Sequence, residues 1–212
     1  MEFALLGWPE DEPTLRLDYR AFSYAGKFVT GGTGIAVLRP GDPVAFDADQ
    51  PLPDGLDPAA FADDVAAAVA FSPDRTEPET LWLRYVTVHA ARRGEGLGPE
   101  LIGEVVDRAA DRGYERARIG VNNPFAYEAL HKAGFGFTGR ETGIAELVLE
   151  RPLDAPATVD RETYQAGLDR FRDRDRELSS AEKAFLDARA EGGPPESHFY
   201  KPPGQRSDNG KR

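Results

Sequence analysis

The stretch "VTVHAARRGEGLGPELIGEVV", residues 86–106, decides the fold, because it places three glycines within five positions between two apolar segments. The segment before the glycines, "PETLWLRYVTV", predicts a strand. In the segment after them, apolar residues recur at helical spacing from Leu101 to Ala109, and Gly113 suits the end of a helix. The sequence therefore predicts a strand, a glycine loop and a helix in direct succession.

Alternation assigns the side chains of this strand to two faces. Both faces are apolar, which is typical of a strand in the centre of a sheet. We expect one face to carry Leu81, Leu83, Tyr85 and Thr87, and the other to carry Trp82, Val86 and Val88.

Shorter patterns predict the elements that precede this strand. Alternation in "LRLDYRAF" (15–22) and "GIAVLR" (34–39) predicts two strands joined by a turn. Residues 40–58 are rich in Pro, Asp and Gly and predict an irregular loop. A helix-cap signal at the start of "DPAAFADDVAAAVAFS" then predicts a short helix that leads into an apolar strand at about 66–71.

Further elements follow the glycine-loop helix. "RARIGV" alternates as a strand, and Asn123 and Pro124 suit the N-cap and first turn of a helix at 124–133 that Gly134 ends. "GFGFTG" and "IAELVLE" predict two more strands. The character changes at about residue 152, where a charged stretch predicts one or two helices, with Ser179 or Ser180 capping the second.

Composition restricts the classes of function. The chain has 212 residues, a net charge of −11, five lysines against 21 arginines, and no cysteine. The acidic charge disfavours nucleic acid as a partner, and the lack of cysteine excludes disulfides and thiolate metal sites. No apolar run approaches the roughly 20 residues that span a bilayer, and the N-terminus lacks a basic leader, so we expect a cytoplasmic protein that does not enter membranes. An acidic, lysine-poor surface is also typical of proteins from high-salt cytoplasm.

Glycines between a strand and a helix favour an anion site, because the first N–H groups of a helix are unpaired and its dipole attracts negative charge. A P-loop is excluded, since "GEGLGPE" lacks the Gly-Lys-Ser/Thr ending. A dinucleotide-binding loop is disfavoured by the G-x-G-x-G spacing and by the position in mid-chain. A plain tight turn remains the structural alternative.

The segment "VHAARRGEGLG" resembles the Val-x-x-x-x-Arg-Gly-x-Gly-x-Gly loop of the GNAT N-acetyltransferase superfamily, with Ala90 where proline is common. Downstream, "NNPFAYEALHKAGF" is similar to the Asn…Gly-Phe helix of that family, and Asn123 to Gly134 keeps its spacing. The resemblance is close over about residues 60–140. It implies an α/β (α+β) fold with a mixed, mostly antiparallel central sheet flanked by helices. With the charge pattern, it predicts an acetyltransferase domain at 1–151, a charged helical extension at 152–192 and a disordered tail at 193–212.

The resemblance also implies an activity, the transfer of an acetyl group from acetyl-CoA directly to a primary amine of a small molecule, peptide or protein, with no metal. Val86, Thr87 and Val88 would lie along the pantetheine, and Asn123 would contact the cofactor near its thioester. The residues that would cradle the pyrophosphate are Arg93, Gly94, Glu95, Gly96, Leu97 and Gly98. A non-catalytic acyl-CoA-binding or interaction module is the alternative function, and a homodimer is the alternative to a monomer.

The catalytic residues are less well defined by the resemblance. The tyrosine that serves many GNAT enzymes as general acid aligns with Leu130, which cannot give a proton. Tyr127, one turn earlier, and His131, next to it, are the candidate acids, with water as the alternative. For His89, directly after the strand, we expect a surface position in the loop. Residues 40–60 and the extension after 152 are expected to shape the acceptor pocket.

Overall fold

The computed structural model describes residues 1–46, 51–52 and 54–197, so part of the predicted tail, residues 198–212, lies outside the described residues. The strands are β1 (Glu2–Gly7), β2 (Gly34–Arg39), β3 (Ala67–Pro73), β4 (Thr80–Val88), β5 (Arg116–Val121), β6 (Gly136–Glu141) and β7 (Leu147–Pro152). The helices are α1 (Leu97–Asp111), α2 (Pro124–Lys132), α3 (Arg161–Arg172) and α4 (Ser180–Asp187).

Internal contacts divide the chain into two compact units, Met1–Val105 and Val106–Arg212, and the division falls within α1. In the first unit β1, β2, β3 and β4 follow one another in an antiparallel sheet. In the second unit β7 pairs with β5 on one side and β6 on the other, again antiparallel. The predicted α/β class with a mostly antiparallel sheet is confirmed. The domain limits at residues 151 and 192 remain predictions.

One predicted strand of the first unit does not form. The segment 15–22 turns back on itself, because the Asp18 carbonyl accepts the N–H groups of Ala21 and Phe22, and the Asp18 carboxylate accepts that of Arg20. Its apolar residues are nevertheless buried. They join a cluster on β2 and β3 that consists of Leu15, Leu17, Ala21, Phe22, Ala25, Phe28, Ile35, Val37, Val65, Ala68 and Ala70. The sheet begins instead with β1, which the alternation did not reveal.

Strand β4 carries a bulge that changes the predicted faces. Tyr85 pairs with Ala70 and Leu83 pairs with Phe71, so that Arg84 is left out of the register between β4 and β3. An extra residue shifts the alternation by one position, because side chains alternate with a period of two. The assignment of Tyr85 and Thr87 to the face of Leu81 and Leu83 is therefore wrong. They lie on the face of Trp82 and Ser72, while Val86 and Val88 share the face of Leu81 and Leu83.

The second unit packs its helices around aromatic side chains. Tyr127 of α2 lies against Tyr164 and Phe171 of α3, with ring centroids 5.5 and 5.7 Å apart. Phe125 of α2 contacts Phe185 of α4 at 4.7 Å. Both predicted helices of the extension therefore form, and Ser179 caps the second through the N–H of Glu182.

The charged run "RDRDRE", residues 172–177, begins at the end of the first helix of the extension. Helix α3 ends at Arg172, and most of the run forms the connection to α4. Arg174 donates to the carbonyls of Asn122, at 2.7 Å, and Ala145, at 2.5 Å. Arg176 pairs with Glu182 of α4 at 2.6 Å. The two arginines thus hold the connection between α3 and α4 against other segments of the second unit.

Across the part of the chain that the structure describes, no helix is both long and apolar enough to cross a membrane.

Candidate active site

The glycine loop begins at the end of β4 and runs into α1, as the sequence predicts. A short 3₁₀ turn, Ala90–Arg92, follows β4, and the chain then passes through Gly94 and Gly96 to the start of α1 at Leu97. Gly94 has a φ of 88° and Gly96 a φ of 82°, a left-handed conformation that glycine adopts at little cost. A Cβ atom on either glycine would meet nothing within 4 Å, so the protein leaves space beside the loop.

The backbone of the loop presents a row of donors. Within the described residues, none of the backbone N–H groups of residues 93–98 donates to a protein acceptor. The first such bond of the helix runs from the N–H of Glu100 to the carbonyl of Gly96, at 3.2 Å. Six successive N–H groups at the positive end of a 15-residue helix form a concentrated partial positive charge. This arrangement can hold an anion such as a phosphate.

His89 fixes the start of the loop from inside the first unit. It is 4% exposed, so the expected surface position is wrong. Its ring stands edge-on to those of Phe22 and Phe46, at centroid distances of 5.0 and 5.2 Å, and its Nδ1 accepts the N–H of Ala91. Burial lowers the pKa of His89, and Arg92 lowers it further. In the sequence only the adjacent apolar strand indicates that this histidine is buried, so its role in positioning the loop is not predicted.

Two further contacts hold the loop from outside. Arg92 pairs with Glu95 across the turn at 2.7 Å, and this bond lowers the pKa of the Glu95 carboxyl. Arg93 donates to the hydroxyl of Ser23 at 3.2 Å. All four side chains are partly or fully exposed, so these contacts contribute little to stability, but they restrict the paths that the glycines allow.

The three strand residues before the loop differ in their surroundings. Val86 and Val88 are half-buried on one face of β4. Thr87 is 4% exposed on the other face, opposite Ala68. Its Oγ1 has no hydrogen-bond partner in the described part of the chain. The side chain of Thr87 therefore belongs to the interior, and only its backbone is suited to contact a ligand.

The other predicted site residues belong to the second unit. Asn123 caps α2, where its Oδ1 accepts the N–H of Ala126 at 2.9 Å, as the sequence predicts. Leu130, at the position of the usual tyrosine, is 2% exposed. Asn123, Tyr127 and His131 lie on the same helix, and the last two rings are in contact, with centroids 4.6 Å apart.

Tyr127 and His131 both have buried side chains. The Tyr127 hydroxyl donates to the backbone carbonyl of Tyr164 at 3.1 Å, and burial raises the pKa of this phenol well above its usual range. His131 is 3% exposed, and burial lowers its pKa to about 4 despite the nearby carboxylate of Glu128. His131 is therefore neutral at pH 7, and its Nε2 has no hydrogen-bond partner among the described residues.

The described residues contain no group of three His, Asp or Glu side chains that could hold a metal ion.

Residues 35–137 match the acetyltransferase (GNAT) family, which confirms the predicted resemblance. No curated protein matches the sequence. Among solved structures, an N-acetyltransferase from Staphylococcus aureus Mu50 is 19% identical, with a TM-score of 0.41 over 57% of this chain and 68% of its own. A GCN5-related N-acetyltransferase from Kribbella flavida is 22% identical, with a TM-score of 0.39 over 57% and 67%. A nourseothricin acetyltransferase is 17% identical, with a TM-score of 0.44 over 72% and 98%.

Proposed function

We propose that this chain, whose residues 35–137 match the acetyltransferase (GNAT) family, transfers an acetyl group from acetyl-CoA directly to a primary amine. The observation that carries the proposal is the row of N–H groups in residues 93–98, which have no protein acceptor within the described residues. A diphosphate is the part of acetyl-CoA that such a row would bind, because its oxygens accept hydrogen bonds from amides and its charge is favoured at a helix N-terminus. Backbone dipoles serve this purpose without a metal.

The fit of the loop to a diphosphate rests on Gly94 and Gly96. Their positive φ lets the backbone turn tightly at this point, and the space at their Cα atoms lets a ligand approach the backbone. Bound acetyl-CoA would supply an acetyl group activated as a thioester. We propose that the backbone of Val86 and Val88 lies along the pantetheine, and that a β4 amide at the Arg84 bulge stabilises the oxyanion, since the bulge removes Arg84 from the pairing with β3.

Proton transfer is the part of the reaction for which the chain offers fewest candidates. Tyr127 and His131 remain candidate acids, but burial favours the neutral phenol and the neutral imidazole, and the Tyr127 hydroxyl is occupied by Tyr164. We propose that both side chains pack α2 and that water takes up the proton that the amine loses and returns a proton to the departing thiolate. A thiolate is a good leaving group near neutral pH, so the reaction does not require a strong acid.

Isothermal titration of the full chain with acetyl-CoA tests the proposal first. We expect a dissociation constant for acetyl-CoA in the micromolar range. Acetylpantetheine, which lacks the diphosphate, should bind more weakly. Release of CoA is then followed with a panel of primary amines, with the rate in the absence of amine as the control. Failure to bind acetyl-CoA would overturn the proposal.

A non-catalytic acyl-CoA-binding module is the second candidate. It is favoured by Leu130 at the position of the usual acid and by the burial of Tyr127 and His131. Binding of acetyl-CoA without amine-dependent release of CoA, across amines of different charge and size, would support the module over the enzyme.

A further inference from the structure

A groove of about 730 Å³ lies in the first unit, lined by parts of residues 30–33, 72–75 and 82–85. Its volume is in the range of sites for small molecules. Residues 40–60 are expected to shape the acceptor pocket, but those of them that the structure describes, 40–46, 51–52 and 54–60, are not among the lining residues.

The bulge in β4 determines which side chains reach the groove. Without it, Trp82 and Arg84 would share one face of β4 and Tyr85 would point to the other. With the extra residue, Trp82, Arg84 and Tyr85 all line the groove, together with Ser72 from the paired strand. Bulges frequently re-aim side chains in this way beside functional sites.

Arg84 is held in one orientation by two contacts within the groove. Its Nε donates to the hydroxyl of Ser72 at 2.9 Å. Its guanidinium lies over the ring of Trp82, 5.0 Å from the ring centroid. With Nε engaged, the two terminal nitrogens Nη1 and Nη2 remain, and this pair suits the two oxygens of a carboxylate.

The positive charge of Arg84 has no carboxylate partner within 4.0 Å in the described part of the chain. The side chain is half-buried, and this desolvation lowers the pKa of its guanidinium. Of the neighbouring charges, Asp74 raises that pKa and Arg75 lowers it. The Asp74 carboxylate is engaged by the backbone of its own turn, where it accepts the N–H groups of Thr76 at 2.8 Å and Glu77 at 3.1 Å.

The groove thus contains two arginines and one aspartate, on a chain whose net charge is −11. A desolvated, oriented cation without a carboxylate partner favours an anionic ligand, because binding restores the interactions that burial removed. The apolar faces of Trp82 and Tyr85 flank it and favour a ligand with an apolar body.

We propose that this groove is the acceptor site and that Arg84 binds a carboxylate of the acceptor, so that the substrates are small amines that also carry a carboxylate, such as amino acids. The proposal rests on the proposed function for the acetyl transfer itself. The position of the groove on β4 agrees with it. Arg84 precedes Val88, the last residue before the loop, by four positions, or about 13 Å along a strand.

The test compares the binding of N-acetylphenylalanine and N-acetylphenylalaninamide to the full chain, measured by ligand-observed NMR with and without CoA. The two compounds lack a free amine and differ in the carboxylate, so that amine ionisation does not affect the comparison. We expect the acid to bind about 10- to 100-fold more tightly than the amide, the range for hydrogen bonds to a charged group. Arg84→Met should reduce the ratio to about 1, and Arg84→Lys should reduce it partly.

Arg16→Met is the matched control, because it removes an exposed positive charge from the same unit and should leave the ratio unchanged. A ratio near 1 in the unsubstituted protein, or a ratio that survives Arg84→Met in a folded variant, would overturn the proposal. If Arg84→Met fails to fold, the ratio in the unsubstituted protein and in Arg84→Lys decides the matter. Loss of acetyl-CoA binding or of turnover would contradict the proposed function alone. The proposal for Arg84 is tested separately, because only the binding of the two acetylated compounds is measured.

Discussion

The hydroxyl of Tyr127 donates a hydrogen bond to the backbone carbonyl of Tyr164, 3.1 Å away, and thereby ties α2 to α3. Tyr127 is fully buried, and the ideal Cβ position of Gly167, one turn along α3, lies 2.1 Å from the same hydroxyl oxygen. Only glycine at position 167 leaves room for this hydroxyl. The C-terminal extension thus shapes the surroundings of Tyr127, the candidate acid that lies one helical turn before Leu130.

Tyr127→Phe should lower the free energy of unfolding by about 1 kcal/mol, the usual net value of a hydrogen bond. If Tyr127 serves packing alone, the pH dependence of kcat should not change. Chemical denaturation and a pH profile of amine acetylation check the two parts. A fall in kcat of about 100-fold or more, with loss of the alkaline limb, would instead identify Tyr127 as the general acid.

His131→Phe should remove a pH dependence of stability between pH 6.5 and 4. The pKa of His131 falls from 6.5 to about 4 on folding, so in this window the unfolded chain binds more protons than the folded one. The contribution of His131 is complete above pH 6.5 and falls by on the order of 3 kcal/mol as the pH drops to 4. The carboxylate of Glu128, which pairs with Lys132 and Arg189, acts against this shift by raising the pKa of His131, and the substitution retains it.

The unfolding free energies of the unsubstituted protein and of His131→Phe are measured at several pH values. Their difference removes the pH dependence that comes from the carboxylates, which both proteins share. Phenylalanine suits the position because the Nε2 of His131 has no partner within the described residues and aromatic rings surround it. A difference that stays constant from pH 7 to 4 would contradict the prediction.

Gly96→Ala should weaken acetyl-CoA binding about 5- to 10-fold, because the left-handed conformation at a φ of 82° costs alanine roughly 1 kcal/mol or more. Titration calorimetry measures the change. Gly26→Ala is the control, since this glycine also has open space at its Cβ position but does not have a positive φ. Equal effects of both substitutions on acetyl-CoA affinity would argue against the loop as the binding element.

Thr87→Val should leave acetyl-CoA affinity unchanged and raise stability by up to about 1 kcal/mol. The Oγ1 of Thr87 is buried without a partner in the described residues, and a methyl group of similar shape avoids its desolvation cost. Calorimetry and thermal unfolding check both parts. A clear loss of affinity would show that the hydroxyl, and not the backbone alone, faces the ligand.

Local signals were sufficient for most of the fold. Helix α2 is marked at both ends, by Asn123 as its cap and by Gly134 with a φ of 85°, and its limits agree with the sequence within one residue. The loop before α1 could be identified because its left-handed backbone conformation favours glycine, at Gly94 and Gly96. These features depend on neighbours in sequence, so one sequence is enough to find them.

The predictions that the structure contradicts concern segments whose conformation depends on residues distant in the sequence. Leu15 and Leu17 alternate as in a strand, yet the turn at Asp18 and a core formed with β2 and β3 determine their conformation. His89 is buried because Phe22 and Phe46 close over it, which no local pattern predicts. The groove around Arg84 depends on how β4 pairs with β3, and pairing is not visible in the residues of β4 alone.

Because Arg84 is an extra residue in β4, the alternation of side chains between the two faces shifts by one position at this point. Before Arg84 the even-numbered residue Trp82 lies on the face of the groove, whereas after it the odd-numbered residue Tyr85 does. Trp82 and Tyr85 can therefore be substituted to change the lining of the groove, whereas Leu83 is buried on the face that it shares with Val86 and Val88. Deleting Arg84 would remove the bulge and the cation together and leave Trp82 and Tyr85 on the same face, opposite Ser72 and Ala70.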